Sequence, residues 1–174
     1  MGEARTNRSA TSLPKRHVEP GRNGITLVQG VCISVWLEHA GEQDGERLVA
    51  YSQMLADEHP GGSSSLSWVL SSSALPGGRT RQDLAHAMHE TKHLRGDSAV
   101  VLEGSGFWAS AVRGALTSLA MAGGKRAGFR MFSALPAATA WIAEQHLERT
   151  SVSISADEIE SAARQLRGLV EGGD

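Results

Sequence analysis

Hydrophobic and polar positions alternate along residues 31–37: Val31, Ile33, Val35 and Leu37 share one face, while Cys32, Ser34 and Trp36 share the other. That period of two marks a β-strand. The apolar run reaches back to Ile25 and is broken only at Gln29-Gly30, so two strands meeting near Gly30 are expected. Over residues 44–58 the period lengthens. Leu48, Val49, Tyr51, Met54 and Leu55 recur at helical spacing and stop before His59-Pro60-Gly61-Gly62, where Pro and Gly end a helix. A short apolar strand follows at residues 66–70, then a turn at Pro76-Gly77-Gly78. A second helix runs from there to about Leu94, with Thr80 as its N-cap and Asp83 in its first turn.

The same unit returns in the second half. Residues 99–102 read as a buried strand, Gly104-Ser105-Gly106 as a turn, and residues 107–122 as a helix with Val112, Leu116 and Leu119 on one stripe. A strand at residues 128–132 leads into a helix with Pro136 in its first turn, carrying Ala140, Trp141, Ile142 and Leu147. Ser155 and Glu158 form a capping box ahead of Ile159, Ala162, Ala163, Leu166 and Val170, an amphipathic helix that stops at Gly172-Gly173. Strands alternating with helices of crossover length predict the α/β class: a β-β-α-β-α-β-α-β-α mixed sheet, largely parallel, flanked by helices, plus a C-terminal amphipathic helix.

Composition narrows the functional classes. At 174 residues and 40% hydrophobic, the chain is long enough to bury one sizeable core. Residues 1–16, with Arg5, Arg8, Lys15 and Arg16 among small polar residues, read as a disordered tail. The domain is expected over 17–147, a polar linker over 148–154 and the last helix over 155–171. The tail lacks the apolar centre of a signal peptide, and no stretch reaches the roughly 20 apolar residues of a membrane span, so a cytoplasmic protein is expected. A formal charge of -2 supplies no field that would draw in nucleic acid. The lone Cys32 rules out an internal disulfide and reads as an inert mid-strand thiol.

Several stretches look familiar together: Val100-Val101-Leu102, the Arg113-containing segment from Ser110 to Leu116, and Phe132-Ser-Ala-Leu-Pro-Ala-Ala-Thr-Ala-Trp141-Ile142. With the order of elements, they resemble the STAS-like domains related to bacterial anti-sigma-factor antagonists, over roughly residues 17–147. The resemblance implies a non-catalytic module that binds a protein partner, a kinase or anti-sigma-like regulator, or its own kind. It also implies a phosphorylated Ser or Thr at the start of the helix after the third strand. The matching segment is 71–80, which places Thr80 near that position, although Arg79 stands where the family has an acidic residue. Thr80 is thus either a phosphorylation site, favoured by the helix-end N–H groups and by Arg79 and Arg81, or simply the helix cap.

Two patterns suggest other chemistry. His89-Glu90-Thr91-Lys92-His93 is a literal HExxH string on a predicted helix, where His89 and His93 share a face that could hold zinc and Glu90 could activate a metal-bound water. Lys92 would place a cation beside that metal, a third ligand would have to be distant, such as Glu144, and His86 extends the string into what reads as a solvated helix face. The β-α turn with Ser105 and Gly106 offers backbone N–H groups to a small anion, but it lacks the spacing and the lysine of a phosphate loop. The leading expectation is a partner-binding domain without a cofactor. A zinc hydrolase and a carrier of a small anionic or lipid ligand are the alternatives.

Overall fold

The computed structural model describes residues 14–38, 41–71, 82, 86, 89, 96–105, 110–114, 117 and 128–172. Its strands are β1 (Arg16–Glu19), β2 (Asn23–Val28), β3 (Val31–Trp36), β4 (Ser64–Val69), β5 (Ser98–Leu102) and β6 (Phe129–Phe132). Helix α1 spans Glu42–Glu58, α2 Leu135–Thr150 and α3 Ala156–Val170. Gln82, His86, His89, residues 110–114 and Thr117 are also helical; the rest of the two helices expected over 80–94 and 107–122 lies outside the described residues, as do residues 1–13 of the expected tail.

The six strands form one mixed sheet in the order β1-β2-β3-β4-β5-β6. β1, β2 and β3 are antiparallel neighbours, whereas β3 to β6 are parallel. Strand β1 is an addition to the expected architecture. Its sequence, Arg-His-Val-Glu, has no apolar alternation to announce it; pairing with β2 and ion pairs to its neighbours hold it instead. The β2–β3 hairpin turns at Gln29 (φ 44) and Gly30 (φ 83), two left-handed residues in succession, the conformation whose twist suits a two-residue hairpin. Glycine adopts it freely, but for Gln29 it costs on the order of 1–2 kcal/mol.

Successive side chains point to opposite faces, so the sheet presents two surfaces. One carries Val31, Ile33, Val35, Leu66, Trp68, Ala99 and Val101, and it is sealed by Leu135, Ala138 and Ile142 of α2 and Ile159, Ala163, Leu166 and Val170 of α3. Helix α2 lies over β4 to β6 and α3 over β1 to β3. The terminal helix therefore docks on its own sheet. Its capping box is formed: Ser155 Oγ accepts from the Glu158 N–H at 3.2 Å, and the Glu158 carboxylate accepts from the Ser155 N–H at 2.8 Å. Gly24 makes the close approach possible, since a Cβ there would lie 2.8 Å from both Leu166 Cδ1 and Val170 Cγ2. The other face packs Val100 and Leu102 against Val112, with Val69, Phe129 and Met131 at the margin.

Candidate functional site

In parallel sheets ligands gather at the carboxyl ends of the strands. Here that edge holds Glu103, Gly104 and Ser105 after β5, facing Arg167 of α3. The Arg167 guanidinium lies 4.8 Å above the Trp68 ring and pairs with Glu103 and, at 3.0 Å, with Glu171. Burial works against its charge, but Glu171 and Glu103 outweigh it, so Arg167 holds its proton more firmly than a free arginine. Ser105 is exposed, as the anion-turn reading requires. The charge nearest to it in sequence, however, is the Glu103 carboxylate, and the adjacent cation is already neutralised. Gly106 lies outside the described residues.

The opposite edge brings together side chains that are far apart in sequence. His146, on the buried side of α2, reaches the β2–β3 turn and the first residue of β4. Its Nε2 lies 3.0 Å from the Gln29 carbonyl oxygen and its Nδ1 3.1 Å from Ser64 Oγ. A carbonyl can only accept, so the hydrogen sits on Nε2 and the Ser64 hydroxyl donates to Nδ1, an assignment fixed by the partners. Burial holds the ring's proton affinity below the ordinary histidine value; the Gln29 carbonyl pulls it up and nearby His59 pulls it down. A hydroxyl, an imidazole and an orienting acceptor in line are the parts of a nucleophile-base system. With Ser64 2% and His146 1% exposed, this one has no surface to offer a substrate. Beside it, Asp97 accepts from the Gly128 N–H at 3.0 Å and pairs with Arg149 at 2.8 Å, tying the start of β6 to α2.

Two further polar groups bond mainly among their own members, the first leaving the buried Asn23 Oδ1 without a partner among the described residues. Buried Asp44 accepts from the Gly41 N–H at 2.6 Å, from Asn23 Nδ2 at 3.2 Å and from Arg47 at 2.8 Å. Arg47 continues to Glu19 at 2.8 Å, and Glu19 also holds Arg22 at 2.7 Å. The His17 hydrogen bond, with help from Arg47 and Arg22 and against the effect of burial, keeps the Glu19 carboxyl below its ordinary pKa. Across the middle strands runs a row of serines. Trp36 Nε1 donates to Ser34 Oγ at 3.0 Å, Ser34 to Ser67 at 2.9 Å, and Ser65 to Ser98 at 2.8 Å. These hydroxyls satisfy one another on a face that also carries half-buried Cys32.

The two sheet edges differ sharply. β1 is guarded by Arg16, His17 and Glu19, the kind of charged edge that discourages further strand pairing. β6, Phe-Arg-Met-Phe, has one charge, Arg130, and three half-buried apolar side chains. Among the described strands it pairs only with β5. The parallel register, with the Ser98 N–H bonded to the Gly128 carbonyl at 2.7 Å, turns the backbone groups of Phe129 and Met131 away from β5.

Of the residues singled out in the sequence, His86 and His89 are exposed on a helix and Glu144 is exposed on α2. Thr80, Glu90 and His93 lie outside the described residues, so the phosphorylation and HExxH readings cannot be assembled from them. Among the described residues no group of three or more His, Cys, Asp or Glu is placed to hold a metal ion. No helix among them is long and apolar enough to cross a membrane. The Gln29–His146–Ser64 and Asp97–Arg149 groupings were not foreseen: their members are 117, 82 and 52 positions apart, and no local spacing announces them. Compared with known proteins, the chain matches no family model, no curated protein and no solved structure.

Proposed function

We propose that this chain is a non-catalytic, cytoplasmic regulatory or protein-interaction module of the STAS-like type that its sequence resembles, and that it engages its partner along strand β6. The observation that carries this reading is the contrast between the edges: β1 is charged and β6 is apolar, with outward-facing backbone donors and acceptors. An extended segment of a partner can add to such an edge, gaining main-chain hydrogen bonds from the strand and side-chain contacts from Phe129, Met131 and Phe132. The closed bonding of the Ser64–His146, Asp44–Arg47–Glu19 and Arg167–Glu103 groups agrees with a molecule that works by presenting a surface.

A photo-crosslinking amino acid placed at exposed Arg130 tests the reading in extracts of the native cell, with the same group at exposed Arg164 of α3 as the control. A discrete adduct from position 130 and none from 164 is expected; an adduct at twice the chain mass would make a second copy the partner. No adduct from 130, or the same adducts from both positions, overturns the assignment.

A further inference from the structure

The ring of His146 has no spare hydrogen-bonding capacity. In its neutral form the donor at Nε2 serves the Gln29 carbonyl and the acceptor at Nδ1 takes the Ser64 proton. Protonation makes Nδ1 a donor. The Ser64 hydroxyl must then turn its own proton elsewhere, inside a site where Ser63, Ser64 and His146 are all buried.

The surroundings offer the added charge nothing. From α1 comes His59, whose ring flanks Gly30 on the other side: a Cβ on Gly30 would meet His146 Cε1 at 3.1 Å and His59 Cγ at 3.4 Å. That second imidazole brings like charge, not a counter-charge. On α2 itself Glu144 and Glu148, two positions to either side of His146, are exposed to solvent, and the charge one turn on is Arg149, a cation whose carboxylate, Asp97 just before β5, is already engaged at 2.8 Å. The turn and β4 contribute the neutral groups Gln29, Gly30, Ser63 and Ser64.

We propose that the Gln29–His146–Ser64 junction is an acid-operated latch: with the ring neutral it clips α2 onto the β2–β3 turn, and ring protonation in mildly acidic solution parts the two. Burial lowers the folded ring's proton affinity below that of the unfolded chain. The stabilisation is therefore complete above the ordinary histidine value of 6.5 and is lost progressively as pH falls from there toward the folded value. The latch is independent of the edge-strand reading, since β6 takes no part in it.

Hydrogen exchange followed by mass spectrometry tests the latch, with protection factors for segments 26–31 and 143–150 compared at about pH 7.5 and about pH 5. In the natural chain protection in both segments is several-fold lower at the acidic pH. In His146→Gln, whose amide can still donate to the Gln29 carbonyl but does not titrate, protection stays level; in His59→Gln, which removes the like charge beside the folded ring, the loss is smaller. An equal loss in His146→Gln, or no loss in the natural chain, overturns the proposal. Should His146→Gln fail to fold, the His146 Cε1 proton resonance of the natural chain decides: protection and ring titration must share a midpoint, and protection lost while the ring stays neutral refutes the latch.

Discussion

Replacing Leu166 by alanine probes whether α3 is part of the domain core. The side chain is 1% exposed and rests against the bare backbone of Gly24. Removing its outer carbons forfeits ~2.4 kcal/mol of transfer free energy at ~0.8 kcal/mol per buried methylene. A cavity term adds to this, because a hydrogen-bonded strand cannot slump into the space, giving about 3–4 kcal/mol in total. For a domain of this size, at ~2–4 °C per kcal/mol, the melting temperature drops by about 10 °C. Arg164→Ala on the same helix is the control: its side chain is 57% exposed and its pair with Glu160 is a surface contact, so the change stays within ~0.5 kcal/mol. Gly24→Ala sharpens the test. Alone it drives a Cβ to 2.8 Å from Leu166 Cδ1 and from Val170 Cγ2, costing ~1–3 kcal/mol. In the Leu166→Ala background the first clash is gone and the penalty shrinks, so the double-mutant cycle shows a coupling of about 1 kcal/mol. Thermal and urea unfolding of the four proteins measure it. Strict additivity, or a Leu166→Ala loss no larger than that of Arg164→Ala, refutes the docking of α3 against β2.

Asp97→Ala leaves the Gly128 amide without its acceptor and returns the exposed Arg149 head group to solvent, costing about 1–2 kcal/mol in chemical denaturation, with faster amide exchange at the start of β6 than elsewhere in the sheet. Ser155→Ala removes the acceptor at the start of α3 and lowers unfolding free energy by ~1 kcal/mol, whereas Ser155→Asp retains most of it. Because its bond to His17 and the Arg47 and Arg22 charges hold the folded Glu19 carboxyl below the ordinary value of 4.5, its stabilisation is present above that pH and is lost as pH falls through the folded value. Glu19→Gln should flatten that acid limb of the stability profile, and an unchanged limb would show that other carboxylates dominate it.

Elements with a clean period were legible from residues alone. The alternation of β3 and the Ser155–Glu158 box of α3 stand where pattern and capping chemistry place them. β1 was not legible: three of its four side chains carry ionisable groups, and what makes it a strand is a partner strand and the Arg47–Glu19 pair, neither visible in a local window. Boundaries moved for similar reasons. Helix α1 starts at Glu42 because the Asp44 carboxylate reaches back to the Gly41 N–H, and β2 starts at Asn23 because its side chain bonds to Asp44. The polar junctions were hidden more deeply. Ser64 lies in a serine run and His146 in an apolar helix, and only the docking of α2 on the sheet joins them.

Because α2 and α3 both follow β6 in the chain, every described strand is synthesised before α2 begins. On the ribosome the oily surface of Val31, Ile33, Leu66, Trp68 and Val101 stays bare until residues 135–170 emerge to cover it. That interval, set by topology rather than by any one contact, is when a nascent chain of this kind is most open to chaperones and to premature association.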